Sequence, residues 1–314
     1  MTVLGLDTSN YRTSVALVDE NGRILVNFRE LLTVPEGERG LRQSEAVFAH
    51  LKQLPKAEKL LREAGGGPLT AVAASVTPRD GNESYMPVFQ AGASFGRLIA
   101  AATGVPFIGT THQRGHLAAA ARGTELAGEE EYLALHLSGG TTDLLEVRKD
   151  TIRRIGTSLD LHAGQAIDRI GVAMGLGFPA GAEMEKLAGN GKSEGRLGCS
   201  LETGDLDCHL SGAESQAQRW IRDGRLTRED IAREIYDLMA RTFVRMAAAG
   251  RRKTGMDRIL ITGGVASSGL LREMMAVRAG KTRGVPGMVF GDPEMCGDNA
   301  VGVALIGLKR TGGS

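Results

Sequence analysis

The chain has 314 residues, which exceeds one ordinary domain and leaves ample length to bury a core. Lysine and arginine total 38 against 37 aspartates and glutamates, so the net charge of +1 excludes a global electrostatic attraction to nucleic acid. Any RNA contact would need a local basic patch or a partner protein. Aromatic residues make up only 4% of the chain and glycines number 44, which predicts an aliphatic core and many turns.

Cysteine usage and hydropathy indicate a cytoplasmic protein without membrane association. Three cysteines cannot form a framework of disulfide pairs. Cys199 and Cys208 could form one disulfide, but we prefer the interpretation that all three are ordinary reduced thiols. The N-terminus runs directly into a predicted strand without a basic leader. No apolar run approaches the roughly 20 residues that span a bilayer.

The first part of the chain predicts a β-meander followed by helix-linked strands. Asn21-Gly22 separates β-branched segments, which is a strong hairpin signal. The predicted strands are residues 3–8, 13–18, 23–28, 69–76 and 107–110. The predicted helices are residues 44–64, interrupted at Pro55, and 87–102.

The second part repeats this order of elements. The predicted strands are residues 133–137, 143–147, 151–155 and 258–262. The predicted helices are residues 164–174, 231–248, 265–276 and 299–309, and a glycine-rich loop is predicted over 190–208. Two copies of a meander with helix-linked strands indicate duplicated lobes around a cleft.

His112 and His116 follow the strand predicted at 107–110 and are four residues apart. In a helix this spacing brings both imidazoles to one face, where one cation can bind both. Two histidines make half of a metal site, and a third ligand must come from elsewhere. The alternative is two polar residues on a solvated helix end.

Three turns rich in glycine and hydroxyl residues follow predicted strands. They are residues 7–14, 138–143 and 262–268. Glycines let the backbone approach a phosphate, and free N–H groups and hydroxyls act as donors. Each could be an ordinary tight turn, but three at strand ends, near Asp7 and Asp168, favour a nucleotide cleft. This layout resembles the actin-like (RNase H-like) ATPase superfamily.

Nearly the whole chain resembles one family within that superfamily. This is the tRNA threonylcarbamoyladenosine-forming family, also called glycoprotease or O-sialoglycoprotein endopeptidase. Besides the histidine pair, the matching segments are Leu4-Gly5-Leu6-Asp7-Thr8-Ser9, Leu137-Ser138-Gly139-Gly140, Ala163-Gly164-Gln165-Ala166-Ile167-Asp168, Gly175-Leu176-Gly177-Phe178-Pro179-Ala180-Gly181, Gly263-Gly264-Val265-Ala266 and Cys296-Gly297-Asp298-Asn299-Ala300.

The resemblance implies an α/β fold with two actin-like lobes around a nucleotide cleft. The N-terminal lobe is expected over residues 1–110 plus 299–314, and the C-terminal lobe over 111–298. The resemblance also implies that Asp298 joins His112 and His116 around iron or zinc. By itself Asp298 would be interpreted as the N-cap of the last helix.

The resemblance further implies which residues contact an adenine nucleotide or acyl-adenylate. Asp168 and Gly181 would contact the sugar, and Glu185 lies where some members have a ribose-binding glutamate; its alternative is a solvated helix face. The remaining candidates in the nucleotide and acyl sites are Asp7, Ser9, His136, Leu137, Ser138, Gly139, Gly140, Thr141, Gly263, Gly264 and Ser268.

The chain departs from the family pattern at the expected cleft. Asn10-Tyr11-Arg12 replaces a Cys-Asp-Glu segment, which reverses the local charge, and Thr141 replaces a histidine. Arginines near the cleft could form an anion site, although a solvated charged loop is an equal alternative. The candidate arginines are Arg12, Arg39, Arg42 and Arg79. We interpret the chain as part of a divergent paralogue group.

The predicted function is a metal-dependent threonylcarbamoyl or carbamoyl transferase that uses an adenylate-activated donor. The resemblance implies ATP, AMP or an acyl-adenylate as ligand and a tRNA adenosine as acceptor, reached through partner proteins. The alternatives are carbamoyl transfer to a non-tRNA acceptor, and a catalytically silent nucleotide-binding partner in a dimer with a true family member. A peptidase is not supported, because no nucleophile–base pair or His-Glu-x-x-His motif is present.

Overall fold

The fold comes from a computed structural model. It describes residues 1–9, 12–33, 41–65, 67–81, 86–149, 151–202, 204–297 and 300–312. These residues form two compact units. The first comprises Met1–Arg122 and Gly297–Ser314, and the second comprises Gly123–Cys296. Among the described helices, none is long and apolar enough to cross a membrane.

The first unit is built on a five-stranded mixed sheet. Its order is β3-β2-β1-β4-β5; the first three strands pair antiparallel, whereas β4 and β5 run parallel to β1. The strands are β1 (Thr2–Thr8), β2 (Arg12–Asp19), β3 (Ile24–Leu31), β4 (Leu69–Thr77) and β5 (Phe107–Thr111). All five predicted strands are therefore present, each with bounds within three residues of the prediction.

Helices cover both faces of this sheet. They are α1 (Gln43–Gln53), α2 (Glu58–Glu63), α3 (Pro87–Thr103), α4 (His112–Ala121) and the C-terminal helix (Val301–Arg310). The helix predicted over 44–64 is divided by a 3-10 turn, Leu54–Ala57, because Pro55 lacks the N–H that an α-helix needs there. On one face, the Thr8 hydroxyl donates to the carbonyl of Val88 in α3. On the other, a Cβ on Gly5 would lie 2.5 Å from the Ala300 carbonyl oxygen, so only glycine fits beneath the C-terminal helix.

The helix that carries both histidines belongs to the first unit. In α4, Gly115 lies so close to the C-terminal helix that a Cβ on Gly302 would overlap the Gly115 carbonyl. This glycine-mediated packing joins the two helices. The sequence predicted that the first unit ends at residue 110, whereas the first unit of the structure continues to Arg122.

The second unit repeats the topology of the first. Its sheet order is β12-β11-β6-β7-β8, with β6 to β8 antiparallel and β11 and β12 parallel to β6. The strands are β6 (Tyr132–Leu137), β7 (Thr142–Val147), β8 (Ile152–Thr157), the short pair β9 (Ser200–Leu201) and β10 (Cys208–His209), β11 (Arg258–Thr262) and β12 (Gly287–Phe290). The duplication predicted from the sequence is confirmed.

The helices of the second unit surround one large aliphatic core. They are α5 (Ala163–Ala173), α6 (Gly181–Asn190), α7 (Ser211–Asp223), α8 (Arg228–Thr254) and α9 (Gly269–Ala279). The single helix predicted over 265–276 is a 3-10 turn followed by α9, because Ser268 caps a new helix by accepting from Leu271 N. Helices α6 and α7 and strand β12 were not predicted, and the loop predicted over 190–208 contains β9 and the first residue of β10.

The three cysteines are free thiols, so Cys199 and Cys208 do not pair. Burial raises the pKa of Cys208 to about 12, which keeps this thiol protonated and unreactive.

Candidate metal and nucleotide sites

Asp7 and His112 meet at one edge of the first sheet. Asp7 lies at the carboxyl end of β1, and His112 directly follows β5, with β4 between the two strands. Because these three strands are parallel, their carboxyl ends reach the same edge. Helix α4 then begins at His112, since the Thr111 hydroxyl caps it by accepting from Arg114 N.

The contact between the two residues fixes the tautomer of His112. Nδ1 of His112 lies 2.8 Å from Oδ2 of Asp7, whose side chain is only 2% exposed. An ionised carboxylate can only accept a hydrogen bond, so Nδ1 carries the proton and Nε2 presents its lone pair. His116 stands one turn along α4, with its Nε2 3.0 Å from Nε2 of His112.

This pair fits a divalent metal. Two imidazole nitrogens bound at about 2.1 Å would be about 3.0 Å apart at a right angle and about 3.4 Å apart at the tetrahedral angle of zinc, and the observed separation is 3.0 Å. A carboxylate that holds the far ring nitrogen of a histidine ligand is a common companion of such sites. Asp298, the expected third ligand, lies outside the described residues. Within the described ranges, no group of three His, Cys, Asp or Glu side chains forms a metal site.

A buried histidine contacts both Ser9, directly after β1, and Thr13 in β2. Ser9 N donates to Arg12 O at 3.2 Å, and Arg12 N lies 3.3 Å from the Ser9 hydroxyl. His50, fully buried in α1, approaches the Ser9 carbonyl with Nε2 at 2.8 Å and the Thr13 hydroxyl with Nδ1 at 2.7 Å. Burial lowers the pKa of His50. The sequence analysis missed this residue, because a lone histidine in an amphipathic helix carries no signal.

The expected anion site of four arginines stays a prediction. Arg42 is exposed at the start of α1, and Arg79 is half-buried beyond the end of β4. Arg12 opens β2 close to Gly297, where a Cβ would lie 3.6 Å from its Nη1. Arg39, like Asn10 and Tyr11, lies outside the described residues.

In the second unit, the turn after β6 rests on the first turn of α5. Ser138 N donates to Thr141 O at 2.8 Å, which closes the turn, and Gly164 N donates to Ser138 O at 3.2 Å. A Cβ on Gly164 would lie 2.6 Å from the Gly139 Cα, so glycine is needed for this approach. Gly139 and Gly140 remain exposed beside a helix N-terminus, an arrangement that suits an anion.

A second glycine turn lies beside the first. Strand β11 pairs in parallel with β6, so that Thr262 is registered with His136, and both strands end next to each other. Gly263 has a φ of +103°, and a Cβ there would overlap the Leu137 carbonyl oxygen. The two turns named by the sequence analysis are therefore brought together, and the close approach requires glycine at position 263.

In the second unit, the two carboxylates expected to contact the sugar accept hydrogen bonds from backbone N–H groups. Asp168 accepts from Ala180 N at 2.8 Å, just before Gly181 begins α6. Glu185 accepts from Leu270 N at 2.9 Å in the first turn of α9. Glu185 is therefore not simply a solvated helix residue, since one carboxylate oxygen already has a structural role.

A buried tyrosine, which the sequence did not indicate as a site residue, contacts the start of α6. Tyr236 in α8 is 1% exposed, and its hydroxyl donates to the Gly181 carbonyl at 3.4 Å. The charges of Glu185 and Asp168 also act on the phenol. Burial is the main cause that raises the pKa of Tyr236. An aromatic residue on the apolar face of a long helix predicts only core packing.

Comparison with solved structures agrees with the fold. Full-length HypF in its phosphate- and nucleotide-bound form superposes with a TM-score of 0.62 at 12% identity, over 100% of this chain and 56% of that one. Component A of (R)-2-hydroxyglutaryl-CoA dehydratase from Acidaminococcus fermentans gives 0.55 at 14% identity, over 99% of both chains. At these identities the likeness concerns the fold alone, which is the α/β actin-like fold with two duplicated lobes.

Comparison of sequences identifies the family. A family model described as "TsaD: tRNA N6-adenosine threonylcarbamoyltransferase" matches residues 35–305. The tRNA N6-adenosine threonylcarbamoyltransferase of Thermococcus gammatolerans is 30% identical over 311 residues, covering 98% of this chain and 91% of the relative. The protein of the same name from Corynebacterium aurimucosum is 32% identical over 334 residues, covering 98% and 92%. The chain therefore belongs to the tRNA N6-adenosine threonylcarbamoyltransferase family, a family of acyltransferases.

Proposed function

We propose that this chain transfers a threonylcarbamoyl group from an adenylate donor to N6 of an adenosine in tRNA. The family match over residues 35–305 carries this proposal. The histidine pair of the first unit and the paired glycine turns of the second support it, because they supply the two kinds of site that the reaction needs. We also propose that the protein acts in the cytoplasm and reaches tRNA through partner proteins.

In the first unit, His112 and His116 would hold a divalent metal, iron or zinc, with Asp298 as third ligand by family resemblance. When bound, such a metal supplies Lewis-acid polarisation of an acyl carbonyl. Asp7 keeps the proton of His112 on Nδ1 and the ring in a fixed orientation, so that Nε2 is available to the metal. His116 contributes the second nitrogen from the same helix face.

In the second unit, the turn at Ser138, Gly139 and Gly140 would bind the adenylate phosphate. Its exposed glycines lie beside the N-terminus of α5, where backbone N–H groups and the helix dipole attract an anion. When the acceptor amine attacks the acyl carbon, AMP leaves, and the same donors would stabilise its phosphate. Asp168, Gly181 and Glu185 would contact the ribose, and the turn at Gly263 and Gly264 the adenosine.

A second candidate keeps the donor chemistry but changes the acceptor. Arg12 and Thr141 stand where the family resemblance implies an acidic residue and a histidine. A guanidinium in place of a carboxylate reverses the local charge and would favour a more anionic ligand. This departure favours carbamoyl transfer to a non-tRNA acceptor.

Complementation tests the acceptor in the presence of partner proteins. The gene is expressed in a bacterial strain depleted of its own enzyme, and N6-threonylcarbamoyladenosine in tRNA is measured by mass spectrometry. We expect the modification to return with the natural sequence and with Asp19→Asn, a change in an exposed hairpin turn, but not with His112→Ala. Absence of the modification, despite folded and metal-loaded protein, would contradict tRNA as acceptor.

Purified protein separates the remaining candidates. Release of AMP from threonylcarbamoyl-adenylate in the presence of small amines, without tRNA modification, supports the non-tRNA acceptor. Nucleotide binding without any AMP release supports a silent partner that works in a dimer with an active relative.

A further inference from the structure

We infer that Arg272, in α9, is a positioning residue for the adenosine of the nucleotide, because its guanidinium joins the second glycine turn to the end of β12. The second glycine turn comprises residues 262–268. The proposed function assigns Gly263 and Gly264 to the adenosine, and the inference rests on that assignment. The side chain acts through the backbone that it holds, without touching the nucleotide.

The guanidinium of Arg272 donates to two backbone carbonyls that lie beyond adjacent strands. Nε donates to Ala266 O at 2.5 Å, in the turn after β11, and Nη2 donates to Gly291 O at 2.6 Å, directly after β12. A carbonyl only accepts and a guanidinium only donates at any physiological pH, so the direction of both bonds is fixed. Hydrogen bonds from a charged donor are roughly twice as strong as neutral ones. Arg272 therefore ties the second glycine turn to the neighbouring strand.

The Ala266 carbonyl lies at the break between two helical segments. The 3-10 turn Val265–Ser267 ends there, and α9 begins two residues later. The amide of Leu270, which would reach this carbonyl in a continuous α-helix, donates to Glu185 instead. Because Ala266 is buried, its carbonyl needs a donor from the protein, and Arg272 supplies one.

Two further contacts hold the guanidinium in place. Its central carbon lies 5.6 Å from the centroid of the Phe290 ring, which is within the range of a cation–π interaction. Nη2 also lies 3.7 Å from Sγ of Cys296, a buried thiol that the Thr262 hydroxyl approaches at the same distance. The side chain of Arg272 is therefore oriented by groups on several sides and not by its two carbonyl partners alone.

The glycines assigned to the adenosine lie between two fixed points of the turn. At Thr262, β11 pairs with β6, and at Ala266 the guanidinium of Arg272 holds the backbone. A segment that is already ordered loses less conformational entropy when it binds a ligand. We therefore expect Arg272 to strengthen binding of the adenosine half of the nucleotide and to leave binding of the phosphate half unchanged.

Arg272→Lys keeps the positive charge but replaces the planar fork of donors with a single nitrogen, so it tests the geometry of the guanidinium. We expect the Kd for AMP, measured by calorimetry, to rise about tenfold, which corresponds to about 1.4 kcal/mol. The Kd for inorganic tripolyphosphate should not change, because the turn at Ser138 to Thr141 is closed by its own hydrogen bond. In turnover, the KM for the adenylate donor should rise and kcat should not change.

Arg278→Lys is the matched control. Arg278 lies in the same helix, and its guanidinium pairs with Asp237 of α8, so this variant loses a comparable contact away from the second glycine turn. Both variants should have a lower free energy of unfolding, but only Arg272→Lys should bind AMP more weakly. Equal rises of the Kd in both variants would show a general loosening of the second unit and would overturn the inference.

Amide hydrogen exchange tests the position of the turn without any ligand. A peptide that covers residues 262–268 should exchange faster in Arg272→Lys than in the natural protein, whereas Arg278→Lys should not change its exchange. Unchanged exchange of this peptide in Arg272→Lys would contradict the role of the guanidinium in holding the turn.

Failure of the inference and failure of the proposed function give different results. If Arg272→Lys lowers the free energy of unfolding but leaves the Kd for AMP unchanged, the guanidinium only stabilises the fold, and the proposed function is unaffected. If the natural protein binds tripolyphosphate but not AMP, the nucleoside site assigned under the proposed function is wrong, and the inference falls with it.

Discussion

Asp7 Oδ2 lies 2.8 Å from His112 Nδ1, although the two residues are 105 positions apart in the chain. The contact orients a ring that faces the second histidine, and it would keep Nδ1 from competing for the metal that we propose at this pair. Asp7 thus has a role in the first unit that the sequence analysis did not assign, since it named this residue only for the nucleotide.

We expect Asp7→Asn to weaken metal binding without removing it. An amide cannot balance the charge of a metal-bound imidazole as a carboxylate does, and loss of such a partner lowers metal affinity by about 10- to 100-fold. Competition for zinc with a chromogenic chelator measures the effect. Asp19→Asn, in the exposed β2–β3 turn, is the control. Equal affinities of the two variants would show that Asp7 does not support the metal ligands.

We expect His50 to make the protein less stable in mild acid. Burial lowers the pKa of His50 in the folded state. Below about pH 6.5 the unfolded chain therefore binds a proton at this residue that the folded chain does not bind. The free energy of unfolding should therefore fall as the pH drops from 7.5 to 5.5, as measured by urea unfolding. His50→Gln cannot take up this proton and should show a smaller fall. His209, whose pKa is raised chiefly by its hydrogen bond to Glu202, acts in the opposite sense in both proteins. An identical fall in both proteins would contradict the assignment.

Two buried hydroxyls in the first unit should respond oppositely to removal. The Ser75 hydroxyl is fully buried and has no hydrogen-bond partner among the described residues. Ser75→Ala should therefore leave the free energy of unfolding unchanged or raise it by up to about 1 kcal/mol. The Thr8 hydroxyl donates to Val88 O and accepts from Gly92 N, so Thr8→Val should lower that free energy by about 1–3 kcal/mol. Similar losses in both variants would indicate a partner for Ser75 that the structure lacks.

The adjacent glycines at 263 and 264 should tolerate alanine very differently. Gly263 combines a φ of +103° with no room beside the Leu137 carbonyl, so Gly263→Ala should lower the free energy of unfolding by more than about 2 kcal/mol. Gly264 has a φ of −59° and open space around it, so Gly264→Ala should cost less than about 1 kcal/mol. Thermal unfolding of the two variants side by side measures the difference. Comparable stability would mean that the two turns are not in close contact.

Prediction from sequence worked best where the signal is local. The strand at Arg258–Thr262 was predicted with its observed bounds, because an apolar β-branched run ends at two glycines. Strand β12 was missed, since Gly287–Phe290 is short and its pairing comes from β11. Helix α7 was not predicted because most of its residues are polar and its few apolar residues form only a narrow stripe. The helix predicted at 265–276 began four residues too early, because the cap at Ser268 depends on a side-chain hydrogen bond that the hydrophobic pattern does not show.

The sequence by itself determined the shared face of His112 and His116, because a spacing of four follows from the period of any α-helix. It also determined the duplicated order of strands and helices, through hydrophobic patterns that repeat in both halves. Only the tertiary structure decided that Asp7 meets His112, that α4 joins the first unit, and that Tyr236 lies under Gly181. These relationships depend on strand order and helix packing between distant segments, which no local pattern encodes.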